Sequence, residues 1–435
     1  MKKSPARTKK SAPRKAAASQ RTITKARPRK AAAPARKPAA ARVLGTASRI
    51  AQDLVGVGTK DPAGRIFRHY WLPIEVSADL GEKPKEVRFL GEDLVLFRHP
   101  NGKPGLVGRK CAHRNASLVM GTVEPEGIRC CYHGWLYDCT GQCIDQPAEP
   151  DRKKLAASIK IAGYPAEDRY GIIWAYFGEG EPPVIPPYDI FTRTDGFNRT
   201  VKSYHNCNWL QVAENMVDPL HTSFLHRFSP LTDVVAECPR FDKTEDTQYG
   251  FVVQSTRLDQ GHSRLDHFVF PAMNRVAVNH IHPPLEICWF VTPIDETHTL
   301  SVTYRFVPNP PGADEEAIQK RVKFVEDMDK KIPRNSPHES GSLVFAQDMW
   351  AMESQGPISD RNFENLANSD KGVIRLRRGY WDALKAIEAG RDPPNVLRDA
   401  SVKVLNFETG IFHRGADNFD PARRNAHSPA EKLPV

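Results

Sequence analysis

From about residue 60, apolar positions recur in short bursts separated by turn formers, the pattern of a β-rich region. Val87-Arg88-Phe89-Leu90 and Leu94-Val95-Leu96-Phe97 read as strands, Asn101-Gly102 as a hairpin turn, and Gly105-Leu106-Val107-Gly108 as the returning strand. Further short strands lead to Tyr170-Gly171-Ile172-Ile173-Trp174-Ala175-Tyr176-Phe177. The proline-rich stretch from Glu181 to Pro187 then closes a first domain, residues 49–187. The second, residues 188–435, mixes strands such as Gly250-Phe251-Val252-Val253 and Ile287-Cys288-Trp289-Phe290-Val291 with helices expected near 207–226, 314–331 and 359–388. That alternation predicts an α+β domain with a mainly antiparallel sheet behind an all-β one.

Composition changes this picture mostly at the N-terminus. A chain of 435 residues that is 40% hydrophobic can fill two or three domain cores. No run of 18 apolar residues and no apolar leader stretch occur, which predicts a cytoplasmic protein without a membrane span. The net charge of +10 belongs to a tail: residues 1–42 carry 15 Lys and Arg and no acid, leaving 47 basic against 52 acidic residues elsewhere. Residues 1–48, built from Lys, Arg, Ala, Pro and Ser, are expected to be disordered. A solubilising extension, weak polyanion binding and an organellar transit peptide are the uses open to such a tail.

The eight cysteines are too sparse for a disulfide scaffold, but five of them crowd between 111 and 143 beside two histidines. Cys111-Ala112-His113 and Cys130-Cys131-Tyr132-His133 are separated by sixteen residues. A pair of close ligands on each of two loops can clamp a [2Fe–2S] cluster, with two thiolates on one iron and two imidazoles on the other, a Rieske centre. Cys130 is the ligand of the second loop because it lies three before His133, which makes Cys131 an interior residue. Structural Cys₂His₂ zinc is the competing reading, but zinc fingers pair Cys with Cys and His with His, whereas here each loop carries one of each. Cys139 and Cys143 are expected to act as small buried hydrophobes.

A second constellation spans Glu214-Asn215-Met216-Val217-Asp218-Pro219-Leu220-His221-Thr222-Ser223-Phe224-Leu225-His226. His221 and His226 can reach one metal where Pro219 loosens a helix, and a carboxylate would complete a facial triad with open positions for O₂. Asp218, three before His221, can hydrogen-bond to it, or cap the helix that Pro219 opens.

Together, Cys111-Ala112-His113-Arg114, Cys130-x-Tyr132-His133-Gly134-Trp135, Asp138-x-x-Gly141 and the Glu-Asn-x-x-Asp-Pro-x-His segment resemble the aromatic-ring-hydroxylating Rieske oxygenases. The likeness covers roughly residues 50–390. The segment Phe345-Ala346-Gln347-Asp348 to Ile358 resembles the phthalate dioxygenase-like branch and implies Asp348 as the third metal ligand, with Glu353 and Asp360 as fallbacks. Respiratory Rieske proteins commonly carry a disulfide between the loops; Ala116 and Tyr132 stand in those places here, favouring the oxygenase type. The resemblance implies a helix-grip catalytic domain, a mononuclear Fe(II), and a homotrimer in which Asp218 passes electrons between subunits.

No flavin, nicotinamide or plant-type ferredoxin motif is visible, so a separate NAD(P)H-dependent reductase is implied. The substrates implied are an aromatic small molecule and O₂, with hydroxylation, dihydroxylation or O-demethylation of an aromatic carboxylate or aryl ether. Arg257 and Arg264 could clamp a carboxylate, although surface salt bridging is the commoner use of such residues. The competing functions are an electron-transfer Rieske protein without oxygenase activity and a nucleic-acid-associated protein acting through the tail.

Overall fold

The computed structural model describes residues 51–152, 154–226, 238–257, 262–278, 284–329 and 344–413; the basic tail lies outside them. Eleven strands come first: β1 (Trp71–Val76), β2 (Lys85–Phe89), β3 (Glu92–Arg98), β4 (Pro104–Gly108), β5 (Thr122–Glu124), β6 (Gly127–Arg129), β7 (Leu136–Tyr137), β8 (Cys143–Asp145), β9 (Gly163–Tyr164), β10 (Ala166–Arg169) and β11 (Ile172–Tyr176). They form three small sheets, ordered β1-β11-β10, β2-β3-β4-β9 and β5-β6-β7-β8. The expected strands 87–90 and 170–177 each take in residues that belong to turns. Leu90 and Gly91 (φ 49° and 79°), and Tyr170 and Gly171 (φ 60° and 72°), adopt left-handed backbone at the hairpin bends.

The second half holds one eight-stranded antiparallel sheet, in the order β12 (Gly196–His205), β18 (Thr299–Pro308), β17 (Leu285–Pro293), β16 (Met273–Val278), β15 (His262–Val269), β14 (Gly250–Arg257) and β13 (Arg240–Thr247), with β19 (Gly410–His413) paired to β15. At β17 both faces of the sheet are covered, which is why Ile287–Val291 is an unbroken apolar run instead of an alternating one. Trp289 faces the helices and meets Phe345; the next residue, Phe290, points the other way and packs edge-on against Trp174 of β11 at 5.3 Å. One apolar core therefore runs from Leu72 and Trp174 through Phe290 to Trp209 and Tyr380. A second core, built on Val95, Phe97, Val107, Leu118, Ile128 and Tyr137, belongs to the cysteine-rich lobe.

Besides a short helix at Pro62–Phe67, the helices are α1 (Trp209–Asn215), the single turn α2 (Thr222–Leu225), α3 (Glu315–Asp329), α4 (Val344–Glu353) and α5 (Lys371–Glu388). The helix expected over 207–226 is thus two pieces, because Pro219 brings no backbone N–H to continue the first. The helix expected over 359–388 starts only at Lys371. Before it, Asp360 folds back to accept from the backbone N–H of Asn362 (3.0 Å), and Asp370 accepts from that of Ala367 (2.6 Å). Helix α5 grips the sheet through Tyr380, whose ring meets Phe268, Phe270 and Trp209. Among the described residues no helix is long and apolar enough to cross a membrane.

Candidate metal centres

The two cysteine loops fold by the same local rule. In the first, which follows β4, the Cys111 carbonyl accepts from Asn115 N–H and the Cys111 N–H donates to Ala116 (both 2.9 Å). In the second, between β6 and β7, Cys130 does the same with Gly134 (3.0 Å) and Trp135 (2.8 Å). The fifth residue of each loop, Asn115 (φ 61°) and Gly134 (φ 75°), takes the left-handed conformation that closes so tight a knuckle.

The loops face each other with their thiols inward. Cys111 and Cys130 are buried, His113 is exposed and His133 half-buried, and the two imidazole rings lie 4.4 Å apart. Trp135 stacks on His113 at 4.7 Å. Tyr137 reaches Cys111 Sγ with its hydroxyl (3.2 Å) and accepts from Ala112 N–H (3.0 Å). Arg129 pins the second loop by donating to the Gly134 carbonyl (2.6 Å) while paired with Glu124 and Asp145. Burial pushes the Cys111 thiol above its ordinary range, so a thiolate there calls for a bound cation. The donor set suits a [2Fe–2S] cluster with its sulfur-ligated side inside and its imidazole side at the surface. Cys131 is exposed, not interior, because the turn that buries Cys130 turns its neighbour outward; Cys143 is buried and Cys139 half-buried.

The second centre is assembled on α1. Gln211, Glu214 and Asn215, spaced to share one face of that helix, each grip a segment that arrives much later in the chain. Gln211 donates to the carbonyls of Met352 and Gly356 (both 3.0 Å) and accepts from Ser359 N–H (2.9 Å). Glu214 is held between two buried guanidiniums, Arg361 (3.1 Å) and Arg377 (2.7 Å). Asn215 reaches Asp348 Oδ1 on α4 (3.4 Å). Helix α5 passes so close to Val217 that any side chain at Gly372 would strike the Val217 carbonyl.

This frame brings His221, His226 and Asp348 together, with their ligand atoms all within 4.8 Å of one another. Asp348 Oδ1 lies 3.5 Å from His221 Nε2 and 3.3 Å from His226 Nε2. Burial alone would push Asp348 up, but the imidazoles of His226 and His221 hold its carboxyl below the usual range. Two imidazoles and a carboxylate, converging with His226 and Asp348 buried and His221 half-buried, fit a divalent iron. Neither fallback carboxylate joins them: Glu353 accepts from the Asn206 backbone N–H, and Asp360 folds onto Asn362. Asp218 lies close to both positions expected of it without filling either, since the N-cap of α2 is His221. Its Oδ1 accepts from Leu220 N–H (2.8 Å), and its Oδ2 stands 3.6 Å from His221 Nδ1, an ion-pair distance longer than a hydrogen bond.

Arg257 is not at the surface. It is buried and donates to Ser223 Oγ (2.9 Å) and Thr222 Oγ1 (2.8 Å), the two hydroxyls of the turn between the histidines. Arg264 pairs with Asp266 (2.9 Å), and its charge is felt at His226. Sequence reasoning missed Arg257 as a support, the Glu214–Arg361–Arg377 triad, and Gln347, whose Oε1 sits 2.8 Å from His226 Nδ1. The helical spacing of Gln211, Glu214 and Asn215 was the one signal available for any of them.

Known proteins resemble this chain over most of its length. Residues 70–165 match the Rieske [2Fe-2S] domain. The phenoxybenzoate dioxygenase subunit alpha of Ectopseudomonas oleovorans is 32% identical over 85% of this chain and 93% of its own length. The 5,5'-dehydrodivanillate O-demethylase oxygenase subunit of Sphingobium sp. (strain NBRC 103272 / SYK-6) is 32% identical over 83% and 86%. Among solved structures, an oxygenase–ferredoxin complex of carbazole 1,9a-dioxygenase superposes with a TM-score of 0.58 over 78% of this chain and 93% of that one, at 21% identity, a likeness of fold.

The chain belongs to the Rieske non-haem iron oxygenases, oxidoreductases that carry a Rieske [2Fe–2S] cluster and a mononuclear iron. Within that family it falls with the phthalate dioxygenase-like oxygenase subunits.

Proposed function

We propose that the protein is the terminal oxygenase of a multicomponent system. Cys111, His113, Cys130 and His133 hold the cluster, and His221, His226 and Asp348 hold the catalytic iron. When bound, the two centres supply electron relay and oxygen activation respectively. The observation that carries the reading is the convergence of two histidines and a buried carboxylate behind a second, separate set of cysteine and histidine ligands. A simple electron carrier has no use for the first of these.

Asp218 faces His221 Nδ1 at ion-pair distance, on the opposite side of the ring from Nε2 and Asp348, where it can bias the ring's orientation. Its carboxylate stays partly open to the surface, with a side-chain exposure of 33%, where a cluster histidine of another copy can meet it. Exposed apolar side chains near both centres, Met120 and Tyr132 beside the cluster loops and Phe224 and Trp350 beside the iron ligands, support a homotrimer that covers them. Electrons enter from a separate NAD(P)H-dependent reductase, directly or through a carrier; the carbazole system's oxygenase binds a ferredoxin.

The substrate is an aromatic carboxylate or aryl ether, hydroxylated, dihydroxylated or O-demethylated. Both relatives named above act on molecules of that chemistry by name. Arg264, on β15 and paired with Asp266, is the residue to recognise a carboxylate. The test combines metal analysis with oxygen uptake. Purified, loaded protein should contain roughly three iron atoms per chain. With a surrogate reductase it should consume O₂ only when an aromatic acid or ether is present. About two irons per chain and no substrate-dependent uptake across such a panel would reduce the protein to an electron carrier.

A further inference from the structure

Gln347 is fully buried, immediately before Asp348 on α4, and its Oε1 lies 2.8 Å from His226 Nδ1. An amide oxygen can only accept, so this contact requires the hydrogen of His226 to sit on Nδ1. That leaves the lone pair of Nε2 directed at the space shared with Asp348 Oδ1, 3.3 Å away. Turning the amide over would reverse the outcome. Its N–H would face Nδ1, the ring hydrogen would move to Nε2, and the atom aimed at the metal space could no longer ligate. Gln347 Nε2 has no partner among the described residues. The contact with His226 is therefore the hydrogen bond that this side chain contributes to the site.

From this geometry we infer that Gln347 is a positioning residue for the mononuclear iron, holding His226 in the tautomer and ring orientation that presents Nε2 to the metal. The inference rests on His226 being an iron ligand. It goes further by giving α4 two tasks in adjacent residues: Asp348 ligates, and Gln347 aims the ligand opposite. An orienting partner of this kind typically changes metal affinity by about 10–100-fold.

The experiment strips the mononuclear iron from cluster-containing protein with a chelator and titrates Fe(II) back anaerobically. Occupancy is read from the EPR signal of the ferrous nitrosyl adduct. Wild-type protein should bind close to one Fe(II); if it binds none, the iron site itself is wrongly assigned. Given wild-type binding, Gln347→Leu should weaken Fe(II) by about 10–100-fold with the cluster's visible spectrum unchanged. Gln347→Glu, which keeps an acceptor at the same place, should bind as the wild type does. Wild-type affinity in Gln347→Leu overturns the inference. Should Gln347→Leu lose its cluster spectrum through misfolding, Gln347→Glu decides alone: tenfold weaker binding there overturns it, and wild-type binding supports it.

Discussion

Removing the Glu214 carboxylate should cost more than any other single change in the frame around the iron ligands. In Glu214→Ala two guanidiniums lose their shared partner. Arg377, 3% exposed, keeps Glu364 through two contacts of 2.5 and 2.8 Å. Arg361, 1% exposed, keeps only a 3.3 Å bond from its guanidinium to the Ser359 carbonyl among the described residues. Breaking a buried pair and leaving one charge unsatisfied costs about 3–5 kcal/mol. For a folded body of roughly 390 residues unfolding as one unit, the unfolding entropy is about 0.8 kcal/mol/K, so Tm should fall by about 4–6 °C. Glu214→Gln, which keeps the shape and an acceptor oxygen, should fall by less. The assay is thermal unfolding of the loaded protein followed by circular dichroism. Burial alone would raise the Glu214 pKa, but Arg361 and Arg377 outweigh it and hold it below the ordinary 4.5. Its stabilisation is therefore complete above pH 4.5 and is lost as the pH falls through the lower folded value. The gap between wild type and Glu214→Ala should stay constant near neutrality and close only in acid. A Glu214→Ala protein that melts within about 1 °C of wild type at neutral pH would refute the reasoning.

Three further outcomes follow from the same geometry. Asp348→Ala should lose the mononuclear iron and substrate-dependent oxygen uptake while keeping the reduced-cluster EPR spectrum, so iron content falls from about three to about two per chain. Arg257→Met should free the Thr222–Ser223 turn and lower iron occupancy at limiting Fe(II) by about tenfold, read by metal analysis after desalting. Tyr137→Phe removes a hydroxyl from Cys111 Sγ and should lower the cluster's reduction potential; a differential of about 1 kcal/mol corresponds to about 40 mV for one electron, measurable by dye-mediated redox titration.

What the sequence disclosed was local. Each cysteine–histidine pair sits inside one knuckle, so ligand spacing and ligand geometry are nearly the same information. His221 and His226 were legible for the same reason, with Pro219 marking the break that lets both reach one point. Asp348 stands 122 residues after His226 and was found only through a resemblance. Glu214 was visible as part of a motif, but its partners Arg361 and Arg377 depend on how α1 and α5 pack, which no spacing encodes. Leu90 and Tyr170 hid two turns because apolar side chains at left-handed positions look like strand residues. Arg257 seemed a surface cation for a similar reason: charge predicts exposure until a buried pair of hydroxyls claims it.

The two lobes differ in how far along the chain they must wait for completion. The knuckles, Tyr137 and their small core are all made by about residue 165. A nascent polypeptide emerging from the ribosome can thus close its sulfur-lined half early. The histidine half cannot close until α4 and the stretch around Arg361 have been synthesised, since Gln211, Glu214 and Asn215 have nothing to hold before then. Chains truncated before residue 344 should accordingly mature as coloured, cluster-bearing fragments that never acquire the second metal.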